Sequence, residues 1–124
     1  MGRTDIIRHL NRISAEKIAL RLLHLCHEPL PFRKLNCTLP GHAKCTLHEA
    51  DDYITGCLED EGYRVEKEGV RVQAYQPDRS SPESRRSRPP HPNDPWFTAH
   101  NIYARKSGTE IPEEVIILCA HKDS

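Results

Sequence analysis

The chain is short of apolar residues: hydrophobic types fill 36% of its 124 positions and aromatic ones 6%, with one tryptophan and one methionine. A share below the usual ~45% limits the buried core and leaves room for one small domain, not two independent ones. Long apolar runs are missing as well. No stretch approaches the roughly 18 apolar residues of a membrane span. The opening "MGRTDIIRHLNRIS" breaks its apolar positions with charges, where a signal peptide would carry an uninterrupted apolar segment. Charge of one sign is also absent, because 18 Lys and Arg balance 18 Asp and Glu. No global field gathers nucleic acid or an anionic membrane, so neither is expected as a partner. Five cysteines make an odd set, too sparse for a secreted disulfide scaffold. The reading is a soluble, cytoplasmic chain.

Helical signals come first. From Thr4 to Cys26, Ile7, Leu10, Ile18, Leu22 and Leu25 recur at mostly helical intervals, and Ser14 is placed to cap a restart, so one kinked helix or two consecutive ones are expected. The apolar stripe is expected to pack on a sheet. "HEPLPFRKLNCTLPGHAKC" holds three prolines and a Pro-Gly pair and reads as an irregular connection. Thr46 followed three residues later by Glu49 has the form of a capping box. Behind it Ala50, Ile54, Cys57 and Leu58 line one helix face while Asp51 and Asp52 fall mostly elsewhere, and Gly62 suits a left-handed C-terminal cap.

After Gly62 the apolar period changes from about 3.6 to 2. Tyr63 and Val65 alternate with charges, and so do Val70 and Val72, but the parity slips at Glu68-Gly69, which predicts a bulge or a tight turn. "QPDRSSPESRRSRPPHPNDP" carries six of the ten prolines and reads as an exposed loop over 77–95. Its "RRSR" is diluted as an anion site by Asp78, Glu83 and Asp94. "WFTAHNIYARK" favours a strand entered at Trp96, and Glu113-Glu114 belong to the turn that follows. "VIILCA" is apolar on both parities, the pattern of an interior strand covered on both faces, with Cys119 a buried small hydrophobe.

That last strand opens onto His121 and Asp123. Reacting groups in open α/β sheets gather beyond the carboxyl ends of strands. Two residues apart on an extended chain, an imidazole and a carboxylate share a face, and a carboxylate is the usual holder of a metal-binding histidine's second nitrogen. A separate metal-ligand spacing is Cys37, His42, Cys45 and His48, four soft or borderline donors within twelve residues that would make a small structural zinc knuckle. His100, like His9, His24, His27 and His91, stands apart from other ligand types in the sequence and reads as structural or solvated.

The helix, "PFR", the helix ending "LEDEGYRVE" and, most specifically, "HNIYARKSGTEIPEEVIILCAHKDS" resemble the N-terminal part of the co-catalytic zinc exopeptidases. That family includes bacterial leucyl aminopeptidases and the glutamate carboxypeptidase and glutaminyl cyclase relatives. The resemblance implies that residues 1–124 form the N-terminal part of a single zinc-peptidase-like domain. Its α/β fold would be a mixed β-sheet, incomplete here, with two or three covering helices. The segments Tyr63 to Tyr75 and Trp96 to Lys106 would pair antiparallel near the edge, with "VIILCA" inside. It implies that His121 ligates one of two zinc ions and that Asp123 is the carboxylate orienting it. The reaction would be hydrolysis of an N-terminal peptide bond, with a metal-bound water as nucleophile.

Lys122 departs from the aromatic residue common between these positions. The family's bridging aspartate, its Glu-Glu pair, a further aspartate and a last histidine have no counterpart among these residues. One histidine does not hold zinc, so the chain alone is expected to be inactive and to need a complementing C-terminal portion. A non-catalytic binding module or remnant of the same fold is the alternative.

Overall fold

The computed structural model describes residues 7, 8, 10–77, 80 and 87–123. The chain divides into two compact units, Met1–Pro31 and Phe32–Ser124. In the first, helix α1 spans Ala15–Cys26, and its N-cap is Ser14, whose hydroxyl accepts from the Lys17 amide at 3.2 Å. The restart at Ser14 is therefore real, and the bond satisfies one of the amides that a helix start leaves open. At the other end, the amides of His27 and Glu28 both donate to Leu23 O and the Leu30 amide to His24 O, which folds the chain back and buries Leu30. The apolar stripe is another matter. No residue of α1 is buried, and Ile18 and Leu22 are about half exposed, so the covered stripe anticipated from periodicity is not observed.

The second unit is built on helix α2, Thr46–Asp60, and two long strands, β1 at Arg64–Gln73 and β4 at Trp96–Arg105. These strands pair antiparallel over ten residues, from Arg64 opposite Arg105 to Gln73 opposite Trp96, within the two segments expected to be extended. A short second ladder joins β2, Gln76–Pro77, to β3, Ser87–Arg88. α2 packs on β1 and β4. Together these elements make a small α/β fold with a two-stranded antiparallel sheet.

The register runs without interruption, so the bulge or turn expected at Glu68-Gly69 is absent. The slip in parity has another cause: both faces carry some apolar residues. Val65, Lys67, Gly69, Arg71 and Gln73 share the helix side, as the Lys67 ammonium shows by donating to Asp52 at 2.9 Å, while Val70 and Val72 lie on the reverse side.

The start of α2 also differs from the capping box. Cys45 is the N-cap, and Thr46 is the first helical residue. The buried Thr46 hydroxyl accepts from the Lys34 amide at 2.9 Å and donates to the Lys34 carbonyl at 3.2 Å, while the Thr46 amide donates to Cys37 O. Glu49 turns to His42 Nδ1, 2.6 Å away. The residues that would have capped the helix locally thus tie it to the preceding irregular segment instead. The other end follows the sequence: Gly62 has φ +79°, its amide donates to Glu59 O, and the Tyr63 amide donates to Leu58 O. That is the paired bonding of a Schellman cap, which needs a residue without a β-carbon penalty at the left-handed position.

The proline-rich stretch is anchored at its C-terminal end. Arg88 grips Asp94 through two nitrogens at 2.7 and 3.1 Å, the His91 amide donates to Asp94, and the Gln73 side chain donates to the carbonyls of His91 and Asp94. Most residues of 87–95 are exposed, as expected of the loop over 77–95, although these bonds anchor them; Asp78, Glu83 and the arginines at 85 and 86 lie outside the described residues. Trp96 opens β4 half-exposed, with the Arg71 guanidinium 5.7 Å from its ring centre.

The apolar run from Val115 to Ala120 forms no strand. Its residues have no ladder partner among the described residues, and Val115, Ile116, Ile117 and Leu118 are 77–93% exposed. Cys119 is exposed too, not buried. Apolarity on both parities states that a strand suits an interior place, but the ladder itself needs neighbours on both sides. The turn before it is as anticipated, with the Glu114 amide donating to Ile111 O. No helix among the described residues is long and apolar enough to cross a membrane.

Candidate functional site

The chemistry-bearing residues of the second unit meet where α2 crosses the sheet. His48 and Asp51 stand three apart on α2 and so project from one face. His100 comes from β4, opposite Gly69 on β1. A β-carbon at Gly69 would press to 3.3 Å from the Thr98 methyl, so the missing side chain allows the close approach at this crossing. One ligand atom from each of His48, Asp51 and His100 lies within 4.8 Å of the others, the one such group of three metal-binding side chains among the described residues.

Asp51 is the centre. It is 1% exposed, although its place in the helical pattern set it off the apolar face. A buried carboxylate is costly unless paired and hydrogen-bonded, and here both oxygens are engaged: Oδ2 lies 3.1 Å from His100 Nδ1, and Oδ1 receives the Lys122 ammonium. Lys122 is held in turn by Arg33, whose Nε donates to the Lys122 carbonyl at 2.6 Å. His48 is fixed through Nε2, 2.8 Å from Thr98 O, and its ring centre lies 4.9 Å from that of His100 at a tilt of 42°. The result is a chain of contacts linking α2, β4 and the C-terminal segment.

A second charge group flanks it at the surface. Asp52 accepts from Lys44 at 2.5 Å and from Lys67 at 2.9 Å. These bonds, that to Lys44 foremost, hold its carboxyl down to about 2, and the same contact raises the Lys44 ammonium. On the reverse face Glu68 accepts from Asn101 and Tyr103, which lowers its pKa and raises that of the Tyr103 phenol.

The residues singled out from the sequence lie apart from Asp51. His121 has a fully exposed side chain and Asp123 is 69% exposed, with Nδ1 to Oδ1 at 3.6 Å, close but beyond hydrogen-bond range. Neither belongs to the group around Asp51. Exposure alternates along these three residues, so positions 121 and 123 face outward while 122 faces in. The proposed knuckle does not assemble: His42 is paired with Glu49 and His48 is directed to the sheet, so Cys37, His42, Cys45 and His48 do not converge. Helix geometry decides this, because His48 sits in the first turn of α2 and points away from the preceding loop.

Sequence reasoning therefore missed Asp51, His100 and Lys122 as partners. The available signal was the i, i+3 pair of His48 and Asp51 on a confident helix. What supplies the third donor is the packing of α2 on β4, which joins side chains 49 positions apart and which no local spacing records. As a donor set, two imidazoles and one carboxylate suit a borderline divalent metal such as zinc. No protein-family model, no curated protein and no solved structure matches this chain.

Proposed function

We propose that this chain is the amino-terminal part of an aminopeptidase-like zinc metallopeptidase, supplying His121 as a ligand to one of two zinc ions and Asp123 as the carboxylate that orients it. The observation that carries the reading is the segment from Val115 to Asp123. Four large aliphatic residues stand 77–93% exposed without a ladder, immediately before an outward His-x-Asp pair. Such a segment suits insertion between further strands, since exposed contiguous aliphatics and unpaired backbone are otherwise a route to aggregation. The two-stranded sheet is compatible with this, as β4 pairs on one side only among the described residues.

His121 and Asp123 do not by themselves fit a two-zinc centre. They offer one ligand and one support, whereas a stable site takes three or four donors. No step of peptide hydrolysis is therefore derived from these residues; bound zinc would supply an activated water and a Lewis acid for the scissile carbonyl. The substrate class is a peptide with a free amino terminus, and the remaining donors belong to a complementing carboxyl-terminal portion.

The test is to read the coding sequence beyond the Ser124 codon, express the whole product and assay zinc-dependent release of N-terminal residues from short peptides. An aspartate-rich loop followed by a Glu-Glu pair is expected, with hydrolysis abolished in His121→Ala. A stop codon followed by unrelated sequence, or a whole product whose hydrolysis survives His121→Ala, would overturn the proposal.

A further inference from the structure

We propose that His48, Asp51 and His100 form a single-ion zinc site that clamps α2 to β4, held in competition with the Lys122 ammonium. This site is separate from His121 and does not rest on the peptidase reading.

Geometry supplies the first argument. Zinc bonded to nitrogen and oxygen at roughly 2.0–2.1 Å in a tetrahedral shell sets its ligand atoms about 3.3 Å apart. His100 Nδ1 and Asp51 Oδ2, at 3.1 Å, already have nearly that spacing. The whole set lies within 4.8 Å, so closing on an ion asks for a modest drawing-together that side-chain rotation can supply. The second argument is support. Metal-binding histidines hold their other ring nitrogen on a carbonyl or carboxylate, and His48 has Nε2 on Thr98 O, which leaves Nδ1 for the ion. A third is electrostatic: the fully buried Asp51 requires positive charge beside it, and Lys122 supplies it from a different part of the chain.

An ammonium in contact with a ligand carboxylate acts as an internal cation. Zinc carries twice its charge and adds coordinate bonds from two histidines, so the ion displaces Lys122 from Asp51. Three protein donors leave a fourth position for water.

The experiment titrates the metal-stripped full chain with Zn²⁺ alone, in competition with a chromophoric indicator, and records the visible spectrum with Co²⁺ in its place. One ion per chain is expected, with Co²⁺ bands of a nitrogen and oxygen shell and no thiolate charge-transfer band. His48→Gln and His100→Gln should each weaken binding at least about 100-fold, beyond the 10–100-fold typical of removing a supporting contact. Lys122→Met should tighten it about tenfold by removing the competitor, and Cys37→Ser/Cys45→Ser should leave it unchanged. Asp51→Asn is informative only if circular dichroism shows it folded, and the two histidine variants carry the test otherwise. Absence of stoichiometric binding, a thiolate band, or zinc retained in both histidine variants would overturn the proposal. So would zinc lost in His121→Gln but kept in His48→Gln, an outcome that would leave the peptidase reading standing.

Discussion

Lys122→Met in metal-free buffer isolates the contact on which the C-terminal segment depends. The ammonium meets a carboxylate that is 1% exposed, while its own side chain is 21% exposed. Removing one partner of a fully buried pair costs about 3–5 kcal/mol, because the other charge is left behind. Two features reduce that figure here: His100 stays 3.1 Å from Asp51, and the partly open lysine side gives water a way in. A loss of about 1.5–3 kcal/mol results, a large share of the 5–15 kcal/mol of a typical domain. For a unit of this size it lowers Tm by roughly 10 °C. The assay is urea unfolding of wild type, Lys122→Met, Asp51→Asn and the double variant, with chelator throughout. A coupling energy of about 2 kcal/mol is expected from the cycle. If Lys122→Met stays within about 0.5 kcal/mol of wild type and the coupling vanishes, Lys122 does not sit on Asp51 and the account of the buried carboxylate fails.

Two threonines of α2 should respond in opposite directions to the same substitution. Thr46→Val removes both hydrogen bonds to Lys34 and leaves the buried side of α2 without them, costing about 1 kcal/mol by urea unfolding, with Thr46→Ser close to neutral. Thr55 Oγ1 is buried with no partner among the described residues, so Thr55→Val should stabilise the fold by up to about 1 kcal/mol, and a loss instead would reveal a bond at that hydroxyl. Acid dependence should show at Asp52, whose folded pKa of about 2 lies below the ordinary carboxylate value near 3.9. A depressed carboxylate contributes stability that is full above the unfolded value and lost as pH falls from about 4 toward about 2. Asp52→Asn should therefore lower Tm near neutral pH and have little effect at about pH 2; an equal effect at both would show that its charge is irrelevant.

Local rules were legible where the cause is local. Ser14 caps α1 because its hydroxyl reaches an amide three residues on, and Gly62 ends α2 because a left-handed residue completes two short-range bonds. Alternation before the proline-rich stretch, and aromatic and β-branched residues after it, made β1 and β4 recognisable as strands, and their twenty residues pair antiparallel. Where a long-range partner intervened, those rules gave way. Thr46 and Glu49 carry the letters of a capping box, yet Lys34 and His42 take up their side chains.

The amino-acid order by itself indicated the body and C-terminal cap of α2 and the extended segments that hold β1 and β4, that His121 and Asp123 flank a single residue, and that an aliphatic run precedes them. Only tertiary structure decided what Asp51, His100 and Lys122 do. Burial of a carboxylate depends on which partners the fold delivers to it, and here His100 and Lys122 arrive from positions 49 and 71 residues away. The same reason governs the run from Val115 to Ala120: its residues encode a preference for being covered, but a β-ladder is a property of two segments, and one sequence pattern specifies only its own half.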